Sequence, residues 1–136
     1  MTHCIFCRII RGEIPSMKVY EDELVFSFVD INPITPGHTL VVPKRHYATL
    51  FDMPQEDLHA CSEAIRNIGQ AIHKAMRAEG LNLLQNNFRA AGQLVDHAHF
   101  HLIPRFEGDG FLTSWQGQPT TPEELRRNME KIAAEL

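Results

Sequence analysis

Three histidines stand at alternate positions in His97-Ala98-His99-Phe100-His101. In an extended strand, residues two apart point to one face, at intervals of roughly 6.6 Å. The three imidazoles would then share a face, while Ala98, Phe100 and Leu102 turn to an apolar side that suits a core. A neutral imidazole is both a nucleophile and a hydrogen-bonding group at pH 7. Burying three imidazoles side by side without purpose would be wasteful, since each needs hydrogen-bond partners. Two other readings of the row are a chance cluster on a solvated strand and a tripod of zinc ligands.

Just upstream, Asn86, Gly92 and Gln93 lie in a polar, glycine-containing loop. Such a loop can turn backbone N–H groups and an amide toward phosphoryl oxygens, although Gly and Asn also simply make turns. Next to an imidazole row it points to an anion site. Cys4 and Cys7 form a CxxC, which can be half a zinc site, a redox pair or two ordinary cysteines. A redox pair of the thioredoxin kind wants a strand before it in a βαβ setting, and that pattern is missing. A structural zinc needs two further ligands.

The elements that must hold these residues read as α+β. Cys4 to Ile10 forms one or two helical turns, ended by Gly12 and Pro15. Lys18-Val19-Tyr20 and Leu24 to Val29 are strands around the acidic turn Glu21-Asp22-Glu23, and His38 to Pro43 is a buried strand. Asn32-Pro33 and Pro36-Gly37 mark the loop between them. Leu58, Cys61, Ile65, Ile68, Ile72, Ala75 and Met76 recur at helical spacing. They predict a helix over 54–79, with Pro54 in its first turn and Gly80 as its stop. Leu81 to Gln85 and residues 95–104 read as strands. Thr121-Pro122-Glu123-Glu124 starts a last helix running to about 135. The expectation is an antiparallel sheet of about five strands, one long helix and a C-terminal helix.

At 136 residues the chain fits one domain, 1–136, with no repeat or linker dividing it. Its net charge of −4 offers no electrostatic footprint for a nucleic acid or an anionic membrane. An anionic substrate must be met by a few placed donors. Three cysteines cannot all pair, which argues against a disulfide scaffold. With no leader and no apolar run of about 18 residues, the expected location is the cytoplasm.

The string Gln85-Asn86-Asn87, Ala91-Gly92-Gln93 and His97 to Arg105 resembles the histidine triad (HIT) superfamily, in which three histidines alternate with apolar residues. Cys4 to Ile10, and Asp30-Ile31-Asn32-Pro33 through Pro36-Gly37-His38 to Lys44-Arg45-His46, match as well. The resemblance covers residues 2 to about 110 in order and spacing, leaving 111–136 as a C-terminal extension, and it is closest to the bacterial Hint-like branch.

The resemblance implies a HIT-like fold and an enzyme that cleaves at the α-phosphorus of a purine nucleotide conjugate, through a nucleotidyl-histidine intermediate. His99 would attack, His97 would offer its backbone carbonyl to the other nitrogen of His99, and His101 would donate to a phosphoryl oxygen. Gly92 and Gln93 would supply the phosphate loop and Asn86 an amide. Asp30 would bind the ribose hydroxyls, and Ile31 with Phe6, Ile9 and Phe28 would form a slot for the base. Plain core packing is the other reading of those four. The resemblance also implies a structural zinc held by Cys4, Cys7, His46 and His97; without metal, the two histidines would hydrogen-bond each other and the backbone. It favours nucleoside phosphoramidates as substrates, then dinucleoside polyphosphates. A nucleotide-binding or partner-binding module whose triad turns over too slowly to matter is a rival of another class.

At Leu94 the family commonly carries Ser or Thr, whose hydroxyl can reach the phosphate or leaving group; Leu94 has nothing to donate. A homodimer is expected, again from the resemblance. His38 is expected to be a satisfied structural residue, His59 and His73 to lie exposed on the long helix, and Cys61 to pack as a small hydrophobe. Trp115 would cover a leaving group or pack.

Overall fold

A computed structural model of the chain describes residues 3–110 and 117–136. Helix α1 (Ile5–Ile10) begins on Cys4, whose Sγ accepts from the Cys7 N–H at 3.4 Å. The CxxC therefore places its first sulfur at the helix cap and its second one turn inside. Strands β1 (Lys18–Glu21), β2 (Val25–Val29), β3 (Thr39–Pro43), β4 (Gly80–Gln85) and β5 (Phe100–Arg105) form one antiparallel sheet in the order β1-β2-β3-β5-β4.

Alternation along the central strands sorts side chains between two faces. Val25, Val41, Phe100 and Leu102 pack with Cys61, Ala64, Ile68 and Ile72 of helix α2 (Gln55–Ala75). Phe26, Phe28, Leu40 and Val42 point the other way and pack with Phe6 and Ile9 of α1. The helix face that buries Cys61, Ala64, Ile68 and Ile72 repeats at the 3.6-residue period, and each buried isoleucine contributes roughly 1.5–3 kcal/mol. Cys61 is fully buried, as its position predicted, and the apolar surroundings push its thiol up to about 12. His59 and His73 are exposed on the same helix.

Several boundaries differ from the expected ones. Pro54 is the cap of α2 rather than its first helical residue. The helix stops at Ala75 instead of running to 79, because Arg77 takes a left-handed conformation (φ 53°). The Ala78 and Arg77 N–H groups then donate to the carbonyls of His73 and Lys74 at 3.1 and 3.4 Å, which closes the helix end. Gly80, expected as the stop, instead opens β4 opposite Arg105. The strand expected over 95–104 pairs with its neighbours only from Phe100. Upstream, the Ala98 N–H bonds the Tyr47 carbonyl at 2.7 Å, and the His97 carbonyl is taken by the ring of His99.

The C-terminal helix α3 (Pro122–Ala134) forms as its cap predicted, with Thr121 Oγ1 accepting from the Glu124 N–H at 3.2 Å. Trp115 lies outside the described residues, so its expected role is not addressed by the fold. Among the described residues, no helix is long and apolar enough to cross a membrane.

Candidate active site

On the α1 face of the sheet a cavity of about 470 Å³ opens between α1, the segment after β2, the end of β4 and β5. His101 follows Phe100 in β5 and therefore points away from α2, into this cavity, between Leu40 of β3 and Leu84 of β4 in register. His99 has the same parity and also lines the cavity. His97 does not reach it and is fully buried. The row is thus divided between two environments.

His99 Nδ1 lies 2.8 Å from the His97 carbonyl oxygen. A carbonyl can only accept, so Nδ1 carries the proton and Nε2 of the neutral ring keeps its lone pair. Phe6 meets the His99 ring edge to face at 5.1 Å and holds its plane. Burial holds His99 below the ordinary imidazole range, against a smaller opposing effect of the His97 carbonyl and of Asp30. His101 is driven down to about 4, by burial first and then by His99 and His38. Both rings are therefore neutral at pH 7.

The expected nucleotide residues divide as well. Phe6, Ile9 and Phe28 are core residues of the α1 face and also line the cavity. Ile31 is 84% exposed at the mouth. Asp30 lines the cavity; its Oδ1 accepts from the Asn32 N–H at 2.8 Å, while Oδ2 lies 3.7 Å from His38 Nε2. Asn86 and Gly92 sit together at the rim, and Gly92 is left-handed (φ 93°), a conformation that favours glycine.

Gln93 does not join them. Its Oε1 accepts from the Phe88 N–H, its Nε2 donates to the Ala48 and Val95 carbonyls, and its own N–H bonds the Phe88 carbonyl. Every polar group that could have met a phosphate is used to brace the loop. Gln93 shapes the site from behind, a correction to its expected place in the phosphate loop.

Two features were missed in the sequence. His38, expected to be structural, is buried and hydrogen-bonded yet lines the cavity, with Nε2 at 2.9 Å from His101 Nδ1. Its parity with Leu40 and Val42 was the available signal. Asp57 is fully buried in the first turn of α2, where Tyr47 Oη donates to it at 3.0 Å and Arg45 approaches to 3.6 Å. This holds the segment that carries His46 and that bonds Ala98.

Behind His99, one ligand atom each from Cys4, Cys7, His46 and His97 lies within 4.8 Å of the others. Cys4 Sγ is 3.4 Å from His97 Nδ1, and Cys7 Sγ is 3.4 Å from His46 Nδ1 and 3.5 Å from His97 Nδ1. Bond lengths to zinc of about 2.3 Å for sulfur and 2.0–2.1 Å for nitrogen put tetrahedral sulfur–nitrogen separations at roughly 3.6 Å. His97 Nε2 donates to the Pro43 carbonyl at 2.8 Å, so its Nδ1 faces the sulfurs as a lone pair. Without a cation, burial and the neighbouring Cys4 sulfur push the Cys7 thiol up to about 11. The donor set therefore fits a soft divalent metal that would stabilise thiolates.

A family model for the HIT domain matches residues 11–108. The adenosine 5'-monophosphoramidase of Candida albicans is 41% identical over 138 residues, covering 98% of this chain and 91% of that protein. Among solved structures, SMU.412c of Streptococcus mutans superposes with a TM-score of 0.94 at 44% identity, covering 99% of this chain and 86% of that one. A zinc-bound histidine triad family protein of Mycobacterium smegmatis superposes with a TM-score of 0.77 at 34% identity, covering 99% of each chain.

Proposed function

The chain belongs to the HIT family, and from that premise we propose that it is a nucleotidyl hydrolase or transferase acting on purine nucleoside phosphoramidates. The observation that carries this reading is the 2.8 Å contact between His99 Nδ1 and the His97 carbonyl, which leaves a neutral, unprotonated Nε2 at a cavity that also holds a carboxylate for a ribose. In the first step His99 Nε2 forms a bond to the α-phosphorus, and the phosphorus–nitrogen bond to the leaving amine breaks as that amine takes a proton from solvent. Water then attacks the nucleotidyl-histidine, gives up a proton and releases the mononucleotide, restoring the neutral ring. His101 donates to a phosphoryl oxygen as charge builds there, and the Asn86–Gly92 rim surrounds the phosphate. Asp30 accepts from the ribose hydroxyls, with Phe6, Ile9, Phe28 and Ile31 forming the slot for the base.

The charge of the cavity favours an amine over a polyphosphate as leaving group. Among the described residues, none lining it is lysine or arginine. A dinucleoside polyphosphate would bring several negative charges with no cation to meet them. Leu94, 78% exposed at the mouth, offers no hydroxyl to a departing group, which suits amines that protonate readily. The Candida albicans relative carries the corresponding name, adenosine 5'-monophosphoramidase.

With an adenosine phosphoramidate and diadenosine tetraphosphate as paired substrates, kcat/KM is expected to favour the phosphoramidate by about 100-fold, a difference of roughly 2.7 kcal/mol in activation free energy. A preference for the polyphosphate would reverse the choice of leaving group. Retained AMP binding with no turnover of either would leave a nucleotide-binding module. A pH–rate profile gives a second expectation. Because burial lowers the His99 pKa, activity should stay level through neutrality and fall only below the ordinary imidazole value of about 6.5. An acid limb centred above that value would contradict a neutral nucleophile.

We also assign Cys4, Cys7, His46 and His97 to a structural Zn2+, a reading supported by their spacing and by the zinc-bound relative. When bound, the ion supplies a rigid anchor between α1 and the catalytic segment. The unpaired Cys4, Cys7 and Cys61 fit a reducing, cytoplasmic setting. The expected assembly is a homodimer, for which the outermost strand β4 presents Leu83, 56% exposed.

A further inference from the structure

We propose that Ser16 reads the base: its hydroxyl meets the six-substituent of a bound purine, an amine in adenine or a carbonyl in hypoxanthine and guanine. The inference rests on the nucleotide site proposed above and adds to it a side chain that senses base identity.

The sheet lays out the order of the subsites. His101 of β5 stands opposite Leu40 of β3, Leu40 opposite Phe28 of β2, and Phe28 opposite Lys18 of β1. Just before β1 the chain keeps to the same edge, because the Val29 N–H donates to the Met17 carbonyl at 3.0 Å. Ser16 therefore lies on the far side of Phe28 and Asp30 from the histidines, and its residue lines the cavity. Neighbouring strands stand about 4.8 Å apart, so the way from β5 through β3 and β2 to β1 is roughly 14 Å. Phosphate at the histidines and ribose at Asp30 take up the first part of that span. A purine on the ribose then covers Phe28, with the edge remote from the sugar, which carries the six-substituent, turned toward Ser16.

The chemistry of that end of the cavity singles the residue out. Past Asp30 the lining side chains are apolar, Ile14 and Pro15 among them, except for Ser16 and Asn32. Asn32 is exposed, so water meets its amide, and its N–H is already given to Asp30 Oδ1 at 2.8 Å. Ser16 is half-buried, and among the described residues its hydroxyl has no hydrogen-bond partner. A polar group against an apolar wall gains most from a ligand that completes its bonding.

A hydroxyl can turn to suit what it meets, since it both donates and accepts. It accepts from a six-amine and donates to a six-carbonyl. A side-chain amide or a backbone group offers a fixed sense at a fixed place and would favour one base. Ser16 thus favours purines with a polar six-substituent over a purine that has only hydrogen there, without choosing between amine and carbonyl.

The test measures binding of three mononucleotides by calorimetry: the 5'-monophosphates of adenosine, inosine and purine riboside, the last with hydrogen at the six-position. Wild-type protein should bind the first two within about threefold of each other and the third about fivefold more weakly, the scale of one neutral hydrogen bond. Ser16→Ala should weaken the first two about fivefold and leave the third unchanged, so that all three bind alike. Ser16→Thr keeps the hydroxyl and should recover the difference. An alanine variant that binds all three like the wild type overturns the proposal. So does one that weakens all three equally, since that is a loss of slot shape and not of a contact. Equalisation by Asn32→Ala in place of Ser16→Ala would put the contact on the loop after β2 and also overturns it. Discrimination as expected with no turnover of an adenosine phosphoramidate would count against the functional reading alone, whereas failure to bind any of the three would overturn both.

Discussion

Replacing His99 with alanine should lower turnover of an adenosine phosphoramidate by about 10⁴-fold or more, the scale seen when a covalent nucleophile is removed. The reason is local. His99 is the one triad member with a nitrogen that is both unprotonated and at the cavity, because its Nδ1–H is held by the His97 carbonyl. No neighbour can replace it: His97 faces the cysteines, and His101 gives its Nδ1 to His38. The substitution also empties space beside Phe6 and frees a buried carbonyl, which should cost about 1–3 kcal/mol of stability. That cost is too small to unfold a domain of ordinary stability, so the lost activity can be separated from lost structure by a thermal melt and by AMP binding. Wild-type protein quenched during turnover should carry a nucleotide on His99, detectable by mass, and the variant should carry none. Activity within tenfold of wild type would show that the attacking group lies elsewhere.

The parts of this site that could be read in advance are those where one side chain's type settles its surroundings. The buried stripe from Cys61 to Ile72 gave α2 by period alone, and the Thr121-Pro122 pair gave the start of α3. Period two in the histidine row correctly placed His99 and His101 on one face, but it extended the strand too far. Only the family resemblance, and not the period of the row, says that the His97 carbonyl turns to the His99 ring instead of a neighbouring strand. The end of α2 was misplaced for a related reason: Gly80 was the nearest residue suited to a left-handed turn, and it was Arg77 that took it. Gln93 looked like a donor for phosphate because loops with glycine and amides often are. Whether an amide faces a ligand or the underside of its own loop depends on which carbonyls the loop brings near, here those of Ala48 and Val95. His38 is the satisfied, buried residue its place at the start of a strand implies, and its presence at the cavity follows from the parity it shares with Leu40 and Val42. The cysteine–histidine quartet joins residues up to 93 positions apart, and only the family resemblance, not spacing, brought His46 and His97 to Cys4 and Cys7.

Removal of the metal proposed for that quartet should have the second largest effect, on stability first and on catalysis through it. Protein isolated without chelator should hold about one zinc per chain, and Cys4→Ser or Cys7→Ser should hold almost none. A site bound at a thousandfold excess over its dissociation constant contributes about 4 kcal/mol to folding. In a domain of this length that corresponds to a drop in melting temperature of roughly 10 °C or more on chelation. The same treatment should leave a Cys61→Ala protein responding like the wild type, since Cys61 packs against α2's partners and not at the site. Were zinc instead bound by the three triad histidines, Cys4→Ser would keep its metal, and a catalytic loss would appear without the stability loss. The two effects are expected together because His97 has two jobs on opposite sides of one residue. Its ring meets the sulfurs at 3.4 and 3.5 Å, and its carbonyl holds the nucleophile at 2.8 Å. Loosening the ring frees the carbonyl to move, and His99 Nε2 then loses both its fixed direction and its enforced lone pair.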